Sequence, residues 1–348
     1  MEKEIREETK RKLKRDKNDN IFRYQEKDVN KKLIEILGKD FKKYREDFDK
    51  TQNYLQTKFI PDFPIELYIE LLNRCNFDCV MCYRKHRLDE PRAELSLGIF
   101  KKIMDEAKEN KLPSISINTG GDPFLYKDIK EVLRMVKEAG IQDIVLGTNA
   151  ALLNDEMIEF IVKNKITRIK ISLDAATSET YKKIRRGGTL KKTEKNIEKL
   201  IACKKKYNSF LPVIRLSFVV MDINSHEVQQ FIDKWKDKAD CVDLQRYIDI
   251  SYVDKDAEID QKVIKNSFCT GPFYSLTIWA NGNITPFCSF HDLKFSFGNI
   301  HKDTLKSIWN GEKMKQIREQ LASKRFNPVC QKCLYFRDKD LIDKISRD

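Results

Sequence analysis

From residue 65 onward the chain alternates short apolar runs with amphipathic stretches, and no other feature constrains its fold as much. Apolar runs at 65–72, 114–118, 143–147, 168–173, 213–220 and 242–247 predict six strands. Helical periodicity falls between them at 97–109, 129–139, 155–163, 190–206 and 225–236. Ser96, Asn154 and Asn224 or Ser225 are placed as N-caps, and Gly140 as a helix stop. Strand and helix in strict alternation predict an α/β fold with a parallel sheet. In parallel α/β barrels the chemistry gathers at the C-terminal ends of the strands. The residues there are polar: a cysteine group after strand one, Thr119-Gly120-Gly121-Asp122-Pro123 after strand two, and Thr148-Asn149 after strand three. Asp174, then Asp222 with Asn224, and finally Asp249 follow the last three.

Residues 1–60 are charged and helix-compatible, with Leu33, Ile34, Ile36, Leu37, Phe41, Tyr44 and Phe48 at helical spacing, and show no strand alternation. They are expected to form a helical N-terminal extension. The chain has no run of 18 apolar residues and its first residues contain no apolar core of a signal peptide, so a cytoplasmic location is expected, with no membrane partner. The net charge of +13 would suit an anionic partner, but the lysines are mixed with 54 acidic residues as on an ordinary solvated surface, which points away from nucleic acid. Nine cysteines in a reducing compartment point to metal or redox roles rather than disulfides.

Seven of the nine fall into two groups. Cys75, Cys79 and Cys82 form C-x3-C-x2-C on the loop after strand one. Three thiolates there can hold three irons of a [4Fe–4S] cube and leave the fourth open for an exogenous ligand. Structural zinc, completed by His86, is the competing use of the same loop. Cys269, Cys288, Cys330 and Cys333 form the second group. An Asn281-Gly282 turn between apolar runs marks a β-hairpin, and a C-x2-C knuckle follows. Four thiolates suit either zinc or a fully ligated cluster, and spacing alone does not separate them.

The cysteine triplet after strand one, followed by Gly-Gly-acid-Pro after strand two, resembles the radical S-adenosylmethionine (SAM) superfamily over roughly residues 60–250. The resemblance implies a partial (β/α)6 TIM-like barrel over 61–250. It also implies SAM as cofactor, an external one-electron reductant of flavodoxin or ferredoxin type, and hydrogen abstraction by a 5′-deoxyadenosyl radical. Carried over by position, Gly120, Gly121 and Asp122 would receive the methionine ammonium, with Asn149 close by. Ser172 and Asp174 would lie near the ribose or carboxylate, Arg185 would pair with the methionine carboxylate, and Met81 and Tyr83 would pack on the adenine. Attached to such a barrel, the second group resembles a twitch domain, the shortened SPASM type. The implied C-terminal module over 251–348 is a hairpin plus helix holding one auxiliary [4Fe–4S] cluster, with spacing close to that of the aminocyclitol dehydrogenase of butirosin biosynthesis.

An auxiliary cluster can accept the second electron of an oxidation. The leading expectation is therefore dehydrogenation of a small polar substrate, sugar- or cyclitol-like, with Arg246 and Tyr247 at the end of strand six as candidate catalytic or substrate contacts. A peptide maturase and a sugar epimerase are the alternatives, and a non-catalytic iron–sulfur or zinc scaffold is a remote third. The lack of strand alternation in 1–60 counts against the maturase. Cys203 on a helix, and Cys241 at the far end of strand six, count against the epimerase.

Overall fold

The computed structural model describes residues 6, 9, 13–15, 21–24, 28–87, 90–117, 119–248, 258–286 and 295–338. The chain opens with two short strands, β1 (Leu13–Arg15) and β2 (Ile21–Tyr24), and three helices, α1 (Val29–Leu37), α2 (Lys39–Gln52) and α3 (Tyr54–Thr57). The barrel follows as β3 (Glu66–Ile69), α4 (Leu97–Glu109), β4 (Ser114–Ile117), α5 (Ile129–Glu138), β5 (Asp143–Thr148), α6 (Asp155–Lys163) and β6 (Arg168–Ser172). It continues through α7 (Ser178–Ile184), α8 (Leu190–Lys206), β7 (Val213–Val220), α9 (Val228–Trp235) and β8 (Cys241–Arg246). The C-terminal part contains α10 (Gln261–Ile264), the hairpin β9 (Ser275–Ile278) and β10 (Asn283–Pro286), and β11 (Gly298–Asn299). It ends in α11 (Leu305–Trp309), α12 (Glu312–Ala322) and α13 (Pro328–Asp338).

Strands β3 to β8 pair in parallel, each with the next in sequence, which is the wound order of a barrel. The result is the partial (β/α)6 barrel expected from the sequence. Every residue of β4 is buried, as a strand covered on both faces requires. Helices α4, α5, α6, α8 and α9 cover it, turning Phe100, Ile103, Val132, Ile161, Ile197 and Phe231 into the common core. Ser96 and Asn154 cap as expected, accepting from Ile99 N and Met157 N. Asn224 does not cap. Its side chain instead accepts from Met221 N and donates to the carbonyls of Asp174 and Val219, tying two strand-end loops together.

The N-terminal extension departs from expectation. Its helices are present, but β2 pairs antiparallel with β8, and β1 with β2, so the extension also contributes two strands to the sheet. At three and four residues they are too short to display an alternating pattern, and β2 is held by hydrogen bonds to β8 and by a buried charge. Asp243 on β8 accepts from Arg23 on β2 at 2.7 Å and from Arg215 on β7 at 3.0 Å. At the other edge β9 pairs in parallel with β3, so the C-terminal hairpin extends the barrel sheet. Its Asn281-Gly282 turn lies where the sequence placed it, with Gly282 at φ +84°. Glu106 and Lys102 on α4 clasp the same module. The Glu106 carboxylate accepts from Leu305 N and Lys306 N, and Lys102 Nζ donates to the carbonyls of Ile300 and Asp303. Among the described residues no helix is long and apolar enough to cross a membrane.

Candidate active site

The loop after β3 carries Cys75, Cys79 and Cys82 over the strand ends. Its backbone docks on the segment that follows α7, with Asp78 N donating to Arg186 O and Val80 N to Ile184 O. Cys79 is buried, and burial, opposed by the Arg185 charge, pushes its thiol up to about 11. Cys75 is raised for the same first reason, and a charge on Cys82 would raise both thiols further. One buried and two half-buried thiols on one short loop, close enough to feel one another, form a donor set that a polynuclear metal group would stabilise. No disulfide joins the described cysteines. Among the described residues no three His, Cys, Asp or Glu side chains gather tightly enough for a metal ion. A cube needs less convergence, because each thiolate binds its own iron. The side chain of His86 lies outside the described residues.

The turn after β4 packs tightly on the loop that follows β3. Gly120 has φ +75°, and a Cβ there would lie 1.7 Å from Glu70 Oε1. One on Gly121 would lie 2.2 Å from Arg74 O. No side chain fits on either, so both positions require glycine. The Asp122 side chain is engaged inside the protein. Its carboxylate is 3% exposed and accepts from Phe124 N, Thr148 Oγ1 and Asn149 N, fastening the turn after β4 to the end of β5. Asn149 reaches the cluster loop instead, donating to Asn76 Oδ1 at 2.9 Å and approaching Cys75 Sγ at 3.7 Å.

Ser172 ends β6 half-buried, and Asp174 follows at φ +59°, fully buried. Asp174 accepts from Val219 N and pairs with Arg185, whose Nη1 also donates to Cys79 Sγ at 3.4 Å. Burial raises the Asp174 carboxyl, opposed by Arg185. Burial likewise works against the Arg185 charge, but Asp174 and Cys79 outweigh it and hold the guanidinium above its usual value. Arg185 is thus engaged by the protein itself, with Nε left without a partner among the described residues. Met81 packs against the core beside Cys82, and the Tyr83 hydroxyl is directed at the Gly120 backbone.

Sequence reasoning missed Glu70 and Arg87. Glu70, 1% exposed at the end of β3, takes Arg87 Nη1 at 2.9 Å and Ala280 N at 3.1 Å, and fills the space beside Gly120. Arg87 also holds Glu90 and lies 4.4 Å over the Trp279 ring. The signal was a carboxylate at the end of an apolar strand, which must find a cation when buried.

Three cysteines of the second group also come together. Burial, then a neighbouring Cys269, pushes Cys330 and Cys333 each up to about 12, and Arg337 lies beside Cys269 and Cys333. Cys288 lies outside the described residues, as does Asp249. Arg246 ends β8 half-buried. Burial lowers its pKa, opposed by Asp338 of α13, so the last helix stands close to that strand end. Tyr247 N donates to Val220 O. Cys203 and Cys241 stay on α8 and at the N-terminal start of β8.

The wound parallel sheet, the three-thiol loop and the bare glycine turn define a SAM-dependent iron–sulfur protein. The family models agree, matching the Radical SAM superfamily over residues 69–233 and an iron–sulfur cluster-binding (SPASM) domain over 269–334. The chain belongs to the radical SAM enzymes that carry a SPASM domain, and its cofactors are a [4Fe–4S] cluster, SAM and auxiliary iron–sulfur chemistry. Among curated relatives, a probable GTP 3′,8-cyclase of Methanococcus vannielii is 27% identical over 212 residues, 58% of this chain and 68% of that protein. The antilisterial bacteriocin subtilosin biosynthesis protein AlbA of Bacillus subtilis is 28% identical over 305 residues, 78% of this chain and 65% of AlbA. The chain thus spans about half to two thirds of the length of the curated relatives it matches. Of solved structures, BtrN in complex with AdoMet and 2-DOIA aligns with TM-score 0.50 at 16% identity, covering 75% of this chain and 87% of BtrN. Streptococcus suis SuiB bound to precursor peptide SuiA aligns with TM-score 0.55 at 19% identity, covering 86% of this chain and 74% of SuiB. At these identities the structures speak for the fold.

Proposed function

We propose that this radical SAM enzyme modifies a peptide, oxidising it by two electrons as a new bond forms within it. The observation that carries this reading is the extent of the likeness to AlbA. That match spans 78% of the chain, whereas several of the cyclase matches span about half of it. The strands β1 and β2 remove the argument that the extension lacks any strand. When bound, SAM and its cluster supply a hydrogen-abstracting radical, and an auxiliary cluster supplies an electron acceptor.

The residues of the chain divide the remaining work. Cys75, Cys79 and Cys82 would hold the first cluster, and Gly120 and Gly121 offer the close backbone approach. Asn149 and Arg185 reach the cluster loop and would orient the ligand on its open iron. Cys269, Cys330 and Cys333, with Cys288, would hold the acceptor, and Arg246 and Tyr247 stand at a strand end where substrate would lie. Dehydrogenation of a small polar substrate uses the same machinery and shares the same need for an acceptor.

One experiment separates the two readings. The anaerobically reconstituted enzyme is incubated with SAM, reductant and perdeuterated candidate peptides, and products are read by mass spectrometry. Deuterium in 5′-deoxyadenosine together with a peptide lacking two hydrogens supports peptide modification. Deuterium transfer from a perdeuterated cyclitol, with none from peptides, would overturn it in favour of the dehydrogenase.

A further inference from the structure

Beside the cluster loop lies a cavity of about 350 Å³ bordered by Asn73, Arg74, Cys75, Arg84, Arg87, Glu90 and Arg92. Four arginines and one carboxylate line a space that touches a cysteine of the cluster loop. Its frame is built. Leu72 bridges to Glu94, and the Asn73 side chain donates to Pro91 O at 2.8 Å and accepts from Ala93 N at 2.9 Å, stapling the two arms of the loop at their base. Two arginines are held by carboxylates: Arg87 by Glu70 and Glu90, Arg74 by Glu94. The other two are not. Arg84 is anchored through Nε to Asn73 O at 3.3 Å, which fixes its plane while both Nη groups have no protein partner among the described residues. Arg92, exposed at the rim, likewise has no partner among the described residues.

A guanidinium pinned at Nε presents its two outer nitrogens as a ready fork, and such forks bind carboxylate or phosphate in two parallel hydrogen bonds. We infer that this cavity is a substrate anchor for an oxyanion group, with Arg84 as the fork and Arg92 as the closing cation. Arg87 and Arg74 are the neutralised wall. In the peptide reading proposed above, on which this choice of source rests, the anion is an Asp or Glu side chain near the modified residue. A phosphate on a small substrate offers the same chemistry. The cavity borders Cys75, so a group anchored there would hold the rest of its molecule over the strand ends.

The test uses reconstituted full-length holoprotein. Hexaglutamate and inorganic phosphate are titrated calorimetrically, each with and without saturating SAM, into the wild type and into the double variant Arg84→Gln/Arg92→Gln. Hexaglutamate should bind with SAM present and weaken as salt rises. The double variant should lose about ten-fold or more in affinity, as expected when charge-assisted pairs are removed, while its SAM affinity and substrate-free 5′-deoxyadenosine production stay unchanged. Binding of phosphate in preference to hexaglutamate, lost in the same variant, keeps the anchor and overturns the peptide source. Absence of binding by either probe, affinity unaffected by the double substitution, or displacement of both probes by SAM would overturn the anchor itself. In the last case the arginines serve the carboxylate of the cofactor.

Discussion

Gly120 and Gly140 share a backbone conformation, at φ +75° and +81°, yet only Gly120 is crowded, with a would-be Cβ 1.7 Å from Glu70 while Gly140 has nothing within 4 Å. Gly140→Ala should therefore cost only the left-handed strain of about 1–2 kcal/mol. Gly120→Ala should cost at least about 2 kcal/mol more, since a buried carboxylate and its partners must move. Denaturant unfolding of the two apoproteins checks this, and equal losses would show that Glu70 yields freely. Arg185→Lys keeps the charge but cannot hold Asp174 and Cys79 at once. SAM affinity should fall by on the order of 1–3 kcal/mol, read by titration of the reconstituted variant. Unchanged affinity would confine Arg185 to its internal ion pair. At this scale the cysteines and glycines were legible because chemistry fixes their spacing. The inward turn of Asp122 and the pairing of Glu70 with Arg87 were not, because such partners are chosen only once the strand ends converge.

Strands and helices of the barrel were legible nearly to the residue, since each has a long apolar face to bury. The sequence reading missed α7, the seven residues Ser178–Ile184, and the pair β1 and β2. The latter are strands because β8 offers a free edge and Asp243 a buried carboxylate. Burial opposes the ionisation of Asp243, but Arg215 and Arg23 outweigh it and hold the carboxyl at about 2. A carboxyl lowered in the folded state stabilises above its unfolded pKa and loses that contribution as pH falls through the folded value. Asp243→Asn should thus destabilise the protein most near neutrality. The gap to wild type should close as pH falls from about 4 toward 2, followed by urea unfolding across that range. A gap independent of pH would mean that the arginines gain nothing from the charge. Hydrogen exchange in Ile21–Tyr24 should quicken in the same variant, reporting release of β2.

On the scale of the whole molecule, one sheet joins the barrel to both flanking parts, with β2 at one edge and the β9–β10 hairpin at the other. The barrel and the C-terminal module were legible from the two cysteine groups. Their junction was not, because β9 pairs with β3 across more than two hundred residues and no local pattern records it. The two thiol groups are nevertheless separate, so their chemistry should separate too. Cys330→Ala/Cys333→Ala, where circular dichroism shows it folded, should still cleave SAM but yield little oxidised product. Full product from that folded variant would remove the acceptor role. The central claim is that Cys75, Cys79 and Cys82 carry the SAM-cleaving cluster while the C-terminal cysteines hold iron independently. It is tested most directly by replacing those three cysteines with alanine, reconstituting anaerobically, and measuring bound iron and 5′-deoxyadenosine on the same sample. The expected result is no 5′-deoxyadenosine, with about one cluster's worth of iron retained at the C-terminal site. Continued 5′-deoxyadenosine production by the triple variant would contradict the account.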